Sequence, residues 1–317
     1  MYKFDRHQIQ VGISACLLGQ KVRFDGGHKQ SRFCQDDLGQ HVHFRAICPE
    51  VAIGMGTPRQ TIRLVAADKV RVKASDGSFD VTEPLTEFSR STSATLGYLS
   101  GYVFCAKSPT CGMERVSLYQ PDSNNSVREG IGVFARRIMI DHPNLPVEEN
   151  GRLNDHNLRE NFVTRVFAYH DWQQLRHQGL SADALYRFHA RYKYLLMAHD
   201  LQVYKTLGRE LADAGSDLAP FANRYESQFM GALKQHANRK AHTNVLQHIQ
   251  GYLKRELSSK ERVALAECID KYRRGLLPLL APISLLKHYM TLYPNSYISD
   301  QVYLNPHPEE MQLRYEH

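Results

Sequence analysis

Three cysteines of this 317-residue chain share one local context. Cys16 follows the apolar run IQVGIS, Cys48 follows VHFRAI, and Cys111 lies in KSPTCG, just beyond YVF. Each stands near a glycine or a proline, which is typical of turns whose backbone amides can face bound sulfur. If the apolar runs are strands of an open α/β sheet, these thiols lie at its carboxyl edge, where such sheets gather their ligands. The pattern therefore predicts one site assembled from distant parts of the chain.

Three thiolates without an obvious fourth ligand are typical of a [4Fe–4S] cluster that leaves one iron open. Structural zinc prefers a closed set of four ligands, usually with C-x2-C spacing, and the sequence has no such spacing. Ordinary buried cysteines are the alternative, because free cysteine is among the most buried residue types. The residues alone favour neither interpretation over the other.

The other three cysteines are Cys34, Cys105 and Cys268. Cys105 falls within the expected strand YVFCAK, and Cys268 lies in the amphipathic segment ERVALAECIDKYRR, so both are interpreted as structural. Cys34 follows a glycine turn. It could approach the site, but we leave it out of the ligand set.

Alternation of short β-like runs with helical stretches places the first half in the α/β class. Strands are expected in IQVGISA, VHFRAI, KVRVKA and YVFCAK, and helices in TEFSRSTSATLGYLSG and GIGVFARRIMIDHP. The alternation favours a mainly parallel sheet covered by helices. LPVEE reads as a last strand or a linker.

From Leu158 onward the sequence shows only helical periodicity, so we expect an all-α second domain. Length alone also favours about two domains. The expected division is residues 1–155 and 156–317, connected by a helix around Arg159–Tyr169.

The composition of the sequence limits the kinds of partner that the protein is expected to have. No apolar run approaches the roughly 18 residues of a membrane span, and the N-terminus does not resemble a secretion signal, so a cytoplasmic protein without a membrane role is expected. In such a compartment cysteines stay reduced. Residues 1–150 contain 18 Lys+Arg and 16 Asp+Glu, whereas residues 151–317 contain 22 and 17. The basic excess of the second half suits a polyanionic partner or, equally simply, a solvated surface.

Three motifs in the first half, VGISACLLGQKVRFDGGHK, ICPEVAIGMGTPRQTIRLV and KSPTCGMERV, together resemble the thiouracil desulfidase (TudS) family. The second half is similar to the YbgA-type helical domain through RFHARYKYLLMAHD, NVLQHIQGYLKREL, YRRGLLPLLAPISLLKHY and YISDQVYLNPHP. The fused pair resembles the RudS type of bacterial tRNA 4-thiouridine desulfidases. The chain departs from that pattern at Thr110, where a serine is usual, and Cys105 adds a thiol nearby.

The resemblance implies a Rossmann-like α/β domain whose [4Fe–4S] cluster is held by Cys16, Cys48 and Cys111, with Glu50 and Ser108 as catalytic residues. It implies non-redox hydrolytic chemistry without a nucleotide cofactor. The substrate sulfur would bind the open iron, water activated by Glu50 would attack C4, and hydrosulfide would be released. Read without the resemblance, Glu50 could also be an exposed glutamate that complements a helix N-terminus.

Candidate substrate-binding residues flank the first cysteine and follow the second. They are Arg23, Asp25, Lys29 and Arg59. Lys29 and Arg59 could neutralise a phosphate beside the base, and Asp25 could accept its N3 proton, although Asp25 before two glycines is also ordinary turn chemistry.

Contact with tRNA is expected on the helical domain, where basic residues occur together with Tyr252 and Tyr272. Lys and Arg bind phosphates, and exposed aromatic rings stack on unpaired bases. The candidate RNA-binding residues are Lys234, Arg239, Lys240, Lys254, Arg255, Arg273 and Arg274. Two alternatives remain open, a desulfidase of free thiouracil or another small thiolated nucleobase, and an RNA-binding adaptor that carries structural zinc.

Overall fold

The structure, a computed structural model, describes residues 9–121, 123–214 and 217–314. The pattern of internal contacts divides the chain into two compact units, and the boundary in the sequence lies between Leu158 and Arg159. The first unit holds all the strands of the described residues, and the second is helical. No helix in the described ranges is long and apolar enough to cross a membrane.

The first unit contains eight strands and three α-helices within its described residues. The strands are β1 (Gln10–Ser14), β2 (His43–Ile47), β3 (Ile62–Val65), β4 (Arg71–Ala74), β5 (Gly101–Phe104), β6 (Val116–Tyr119), β7 (Ser126–Gly130) and β8 (Val147–Glu149). The helices are α1 (Pro49–Ala52), α2 (Thr82–Ser93) and α3 (Val133–Asp141).

Strands β1, β2, β5 and β8 form a fully parallel sheet in the order β2-β1-β5-β8. This confirms the expected α/β class with a parallel sheet. One boundary differs from the sequence prediction, because β5 ends at Phe104 and leaves Cys105 outside the strand. The carboxyl ends of β2, β1 and β5 are therefore neighbours at one edge of the sheet.

A second sheet was not expected from the sequence. Its order is β4-β3-β6-β7, and both outer strands pair antiparallel with their neighbours. Short turns make these antiparallel pairs possible, and the β3–β4 connection needs no crossover helix. A small core of Leu64, Val72, Leu85 and Val116 packs beneath it. The expected strand KVRVKA is present as β4, but it belongs to this second sheet and pairs antiparallel.

Gly12 in β1 allows an unusually close packing inside the parallel sheet. It is the direct partner of Tyr102 in β5, and a Cβ at residue 12 would lie 2.2 Å from the ring atom Cδ2 of Tyr102. Only glycine fits beneath this buried ring. The tyrosine ring also stacks on Phe104 at a centroid distance of 4.3 Å.

The second unit contains eight α-helices among the described residues, and the first of them begins three residues before the boundary between the units. They are α4 (His156–Gln178), α5 (Ala182–His199), α6 (Leu201–Ala212), α7 (Leu218–Lys234), α8 (Arg239–Tyr252), α9 (Ser259–Arg273), α10 (Leu280–Leu292) and α11 (Ser296–Ser299). Side-chain caps explain where several of these helices begin. Ser181, Asp200 and Asn238 accept backbone amides at the starts of α5, α6 and α8, and Ser258 with Glu261 forms a capping box at α9.

Candidate metal and catalytic site

Three cysteines lie at the carboxyl ends of three adjacent parallel strands. Cys48 directly follows β2, Cys16 is the second residue after β1, and Cys105 directly follows β5. The registers of β1 with β2 and with β5 bring these ends side by side. Cys16 and Cys105 are hydrogen-bonded through their side chains. The sheet edge therefore collects thiols as the sequence predicts, but it also collects Cys105.

Cys111 lies at the same site but on a loop, which is held by the side chain of Ser108 and by the start of α3. Ser108 Oγ accepts hydrogen bonds from the backbone amides of Thr110, at 3.2 Å, and Cys111, at 3.0 Å. At the start of α3, the amide of Phe134 donates to the carbonyl of Thr110 at 3.0 Å. A Cβ on Gly132 would lie 2.5 Å from that carbonyl oxygen, so the helix approaches the loop closely. These contacts fix the direction of the Cys111 side chain.

Ser14, the last residue of β1, joins two of these thiols. Its Oγ accepts the amide of Cys105 at 3.0 Å, and its hydroxyl also hydrogen-bonds the Cys111 side chain. Ser14 is 2% exposed. A buried hydroxyl therefore connects Cys105 with Cys111.

Burial and mutual repulsion disfavour the thiolate forms of Cys16, Cys48 and Cys111, whereas the hydrogen bond with Cys16 lowers the pKa of Cys105. The pKa of Cys16 is raised by its hydrogen bond with Cys105 and by burial, and the pKa of Cys111 is raised by burial and by the charge of Glu50. Burial also raises the pKa of Cys48. A cationic group bound at the site would reverse this preference, because a metal deprotonates a coordinating thiol.

Glu50 lies beside the cysteines with both carboxylate oxygens engaged. Its Oε1 accepts the hydroxyl of Thr110 at 2.6 Å, and its Oε2 pairs with the guanidinium of Arg59 at 2.5 Å. Oε2 also lies 3.8 Å from Cys48 Sγ. The side chains of Glu50 and Arg59 are only 14% and 7% exposed. The carboxylate is thus oriented next to a candidate ligand.

The remaining candidates for substrate binding lie on the loop after Cys16. Lys29 Nζ donates to the carbonyl of Ala106 at 3.4 Å. The backbone amide of Lys29 donates to the carbonyl of Cys16 at 2.9 Å. Asp25 Oδ1 accepts the amide of Gly27, as in an ordinary turn, and lies 3.7 Å from the Nε atom of Arg23. Lys29 thus lies near the thiols, whereas Asp25 is exposed.

The basic candidates of the helical unit are exposed, but their surroundings differ. Arg239 donates to the carbonyl of Tyr272 at 2.7 Å and lies over its ring, and Arg273 and Arg274 pair with Asp270. Lys234, Lys240, Lys254 and Arg255 form no ion pair with the residues that the structure describes. Tyr252 is 42% exposed, but Tyr272 is only 3% exposed, so the expectation of stacking by Tyr272 is wrong.

Sequence reasoning missed two members of the site. The expected strand YVFCAK contains Cys105, but the rule that strand ends gather ligands would have selected Cys105 had that strand been ended at Phe104. Thr110 was noted only as a departure from the usual serine, but its hydroxyl binds Glu50. No local signal in the sequence links residues 50 and 110.

Comparison with known families finds one match in each half of the chain. Residues 11–150 match the 2-thiouracil desulfurase family, and residues 193–308 match a family of proteins of unknown function, DUF1722. The first match contains the cysteines, Glu50, Arg59 and Ser108. The second covers most of the helical unit.

Two individual proteins are similar to the chain. The "Uncharacterized protein YbgA" of Escherichia coli (strain K12) is 41% identical over 155 residues, which are 48% of this chain and 92% of that protein. A solved structure of the [4Fe-4S]-dependent thiouracil desulfidase TudS is 27% identical, covers 46% of this chain and 93% of its own, and has a TM-score of 0.39.

Proposed function

Since this chain belongs to the family that joins a 2-thiouracil desulfurase domain to a YbgA-type helical domain, we propose that it removes sulfur from 4-thiouridine in tRNA and leaves uridine. The observation that carries the chemistry is the convergence of Cys16, Cys48 and Cys111 beside Glu50. Residues 1–155 would perform the reaction, and residues 156–317 would bind the RNA.

The donor set fits an iron–sulfur cluster. Within the described residues, no group of three or more His, Cys, Asp or Glu side chains is arranged to hold a metal ion. A [4Fe–4S] cluster distributes its thiolates over several irons, so its ligands surround a larger volume than a lone ion needs. Cys16 and Cys48 at the carboxyl edge of the parallel sheet and Cys111 on the loop beside Ser108 would hold it. When bound, the cluster supplies a Lewis acid that polarises the thiocarbonyl sulfur.

Glu50 would serve as the general base for water. A carboxylate offers about four lone-pair positions, and Thr110 and Arg59 use only part of them. The two contacts fix the orientation of the carboxylate, which is the first requirement for proton transfer. Glu50 would take the proton of the water that attacks C4, and the product would leave with oxygen in place of sulfur.

Ser108 and the loop after Cys16 would orient the substrate. Ser108 Oγ accepts two amide hydrogens, so its own proton remains available to donate to the base. Lys29 and Arg23 would face the neighbouring phosphate, and Asp25 would accept the N3 proton. Arg59 would act mainly through Glu50, because its guanidinium is engaged there.

Basic residues of α8 and the segments beside it would contact the tRNA backbone. The candidates without an ion pair in the described structure, Lys234, Lys240, Lys254 and Arg255, are exposed and can approach phosphates. Arg239, Arg273 and Arg274 would contribute less, because they already have partners within the helical unit.

The test is anaerobic incubation of the iron-loaded protein with tRNA that contains 4-thiouridine. We expect the near-ultraviolet absorbance of the thiocarbonyl to disappear. One hydrosulfide should be released for each 4-thiouridine that is lost. Unchanged absorbance with fully loaded protein would refute the tRNA substrate.

The description of the matching family favours a second candidate, free 2-thiouracil or a related nucleobase. The same assay with free 2-thiouracil and free 4-thiouracil decides between the two. Turnover of a free base with no turnover of tRNA would make the small molecule the substrate and leave the helical unit with another role.

A further inference from the structure

The helices α8 and α9 border a groove on the surface of the helical unit. The groove has a volume of about 510 Å³, a size typical of small-ligand sites. The last two turns of α8 line it on one side, and the first two turns of α9 line it on the other. The buried side chain of Leu257, in the loop between the helices, also lines it. This α8–α9 groove is therefore a preformed cavity of the helical unit.

The charge of the α8–α9 groove is positive. Lys254 and Arg262 line it, and no Asp or Glu lines it among the residues that the structure describes. The guanidinium of Arg262 donates to the carbonyls of Lys254, at 3.1 Å, and Leu257, at 3.0 Å. It also donates to Ser259 Oγ at 3.1 Å. All these partners are neutral, so they fix the position of the guanidinium without compensating its charge, and the groove favours an anionic occupant.

The uncharged residues that line the α8–α9 groove suit a nucleobase. Gln247 and Gln250 present side-chain amides that form no hydrogen bond with the described part of the chain. An amide both donates and accepts hydrogen bonds, so it can pair with the Watson–Crick edge of a base. Gly251 and Val263 add apolar surface, and Val263 is 56% exposed. A flat ring can cover that surface while its edge meets the amides.

Resting on the proposed binding of tRNA by the helical unit, we propose that the α8–α9 groove binds one unpaired nucleotide of the RNA. The base would lie against Val263 with its edge at Gln247 and Gln250. Lys254 and Arg262 would face the adjoining phosphates. A base inside a duplex is stacked and its edge is already paired, so only a loop, a bulge or a single-stranded end can supply this nucleotide. The helical unit would therefore select unpaired RNA in addition to attracting phosphates.

The variant Gly251→Leu tests the proposal by filling the α8–α9 groove. A Cβ at residue 251 would meet no atom within 4 Å, and leucine favours a helix more than glycine does, so the fold and both cations should be kept. Gly231→Leu is the matched control, because Gly231 lies on α7, has equally open space around it and does not line the groove. Fluorescence anisotropy of the full-length proteins measures their affinities for a short single-stranded RNA and for a duplex RNA of the same length.

We expect Gly251→Leu to lower the affinity for single-stranded RNA by about tenfold, which is typical of one specific contact with a base. Its affinity for the duplex should stay that of the wild type. The slope of log K against log salt should also stay unchanged, because the variant removes no cation. Gly231→Leu should bind both RNAs as the wild type does.

A second pair of variants keeps the test valid if leucine disturbs α8. Val263→Glu places a carboxylate in the α8–α9 groove, whereas Ala264→Glu places the same charge on the next residue, which is exposed and does not line the groove. Only Val263→Glu should weaken the binding of single-stranded RNA by about tenfold, the cost of losing one specific contact with a base.

Equal affinities within both pairs of variants, or equal losses on single-stranded and duplex RNA, would overturn the proposal. A free nucleoside monophosphate that binds the α8–α9 groove as tightly as the RNA does would overturn it as well. The binding assay requires no desulfuration. A protein that binds RNA through the groove but leaves 4-thiouridine intact would therefore refute the proposed function alone.

Discussion

The hydroxyl of Thr110 donates to Oε1 of Glu50 at 2.6 Å, and the loop that carries Thr110 also carries Cys111. The contact connects residues 60 positions apart and ties the candidate base to the segment that presents a candidate ligand. Because Thr110 is fully buried, this hydrogen bond is shielded from competition by water.

Replacing Thr110 by valine should loosen Glu50 without changing the size of the side chain. The carboxylate then keeps Arg59 but loses one of its two fixed partners. We expect kcat to fall by about tenfold, the usual cost of a hydrogen bond to a charged group. Steady-state kinetics on thiolated substrate measure this effect. Thr110→Ser, which retains the hydroxyl, is the matched control and should keep wild-type turnover; equal losses in both variants would contradict the assignment.

The variant Glu50→Gln should separate binding of the cluster from chemistry. Glutamine keeps the shape of the side chain but cannot accept a proton from water, so kcat should fall by at least about a hundredfold, the lower range for general base catalysis. Iron content and the visible absorption spectrum should remain those of the wild type. If Glu50→Gln turned over substrate at the wild-type rate, the general base would have to be another residue, and Asp25 would be the next candidate.

Single alanine variants of Cys16, Cys48 and Cys111 should each lose the brown cluster and the activity. Each removes a thiolate that the cluster needs. Cys268→Ala should keep both, because this cysteine lies on α9 in the helical unit. The measurement is the iron and sulfide content after anaerobic reconstitution, and full occupancy in any of the first three variants would remove that residue from the ligand set.

Charge removal on the helical unit should weaken tRNA binding more at low than at high salt. The combined variant changes Lys234, Lys240, Lys254 and Arg255 to alanine and spares Arg239, whose contact with Tyr272 is structural. The slope of log K against log salt should flatten by up to about 3.6 units, about 0.9 for each of the four lost phosphate contacts. Turnover of free 4-thiouracil, which has no phosphate, is the control. Equal loss on both substrates would indicate misfolding or a direct role in the active site.

Acid should destabilise the helical unit through His242. Burial lowers its pKa to about 3, and the charges of Arg314, His199 and Arg239 act in the same direction, whereas Glu160 opposes them. Because the folded pKa lies below the unfolded value of about 6.5, the contribution to stability is complete above pH 6.5 and is lost as the pH falls toward 3. Between pH 7.5 and 5 the loss should be about 2 kcal/mol.

Fluorescence of Trp172 measures this loss in the intact protein. It is the only tryptophan of the chain, and it is buried in the core of the helical unit. Denaturant titrations at the two pH values should show a smaller pH dependence for His242→Gln than for the wild type. If the stability of both proteins depended on pH to the same extent, groups other than His242 would cause the loss of stability in acid.

Sequence reasoning predicted the elements that have a strong local signal. The apolar run of β1, the helix α3 and the change to helices after residue 158 are all visible as periodicity. The second sheet was missed because β6 and β7 are short and lack a clear alternation: most of β6 is half-buried, and most of β7 is exposed. The ion pair of Glu50 with Arg59 depends on the fold of an irregular loop, and sequence patterns carry no information about such pairing.

The packing of Tyr102 against Gly12 has a consequence for the evolution of this sheet. The two residues are direct cross-strand partners, and the space that the missing Cβ leaves is filled by the ring. The tyrosine hydroxyl is buried without a hydrogen-bond partner in the described structure, so phenylalanine would serve equally well there. Homologues should therefore show covariation at these positions: glycine at 12 wherever 102 is aromatic, and a larger residue at 12 only where 102 has become small.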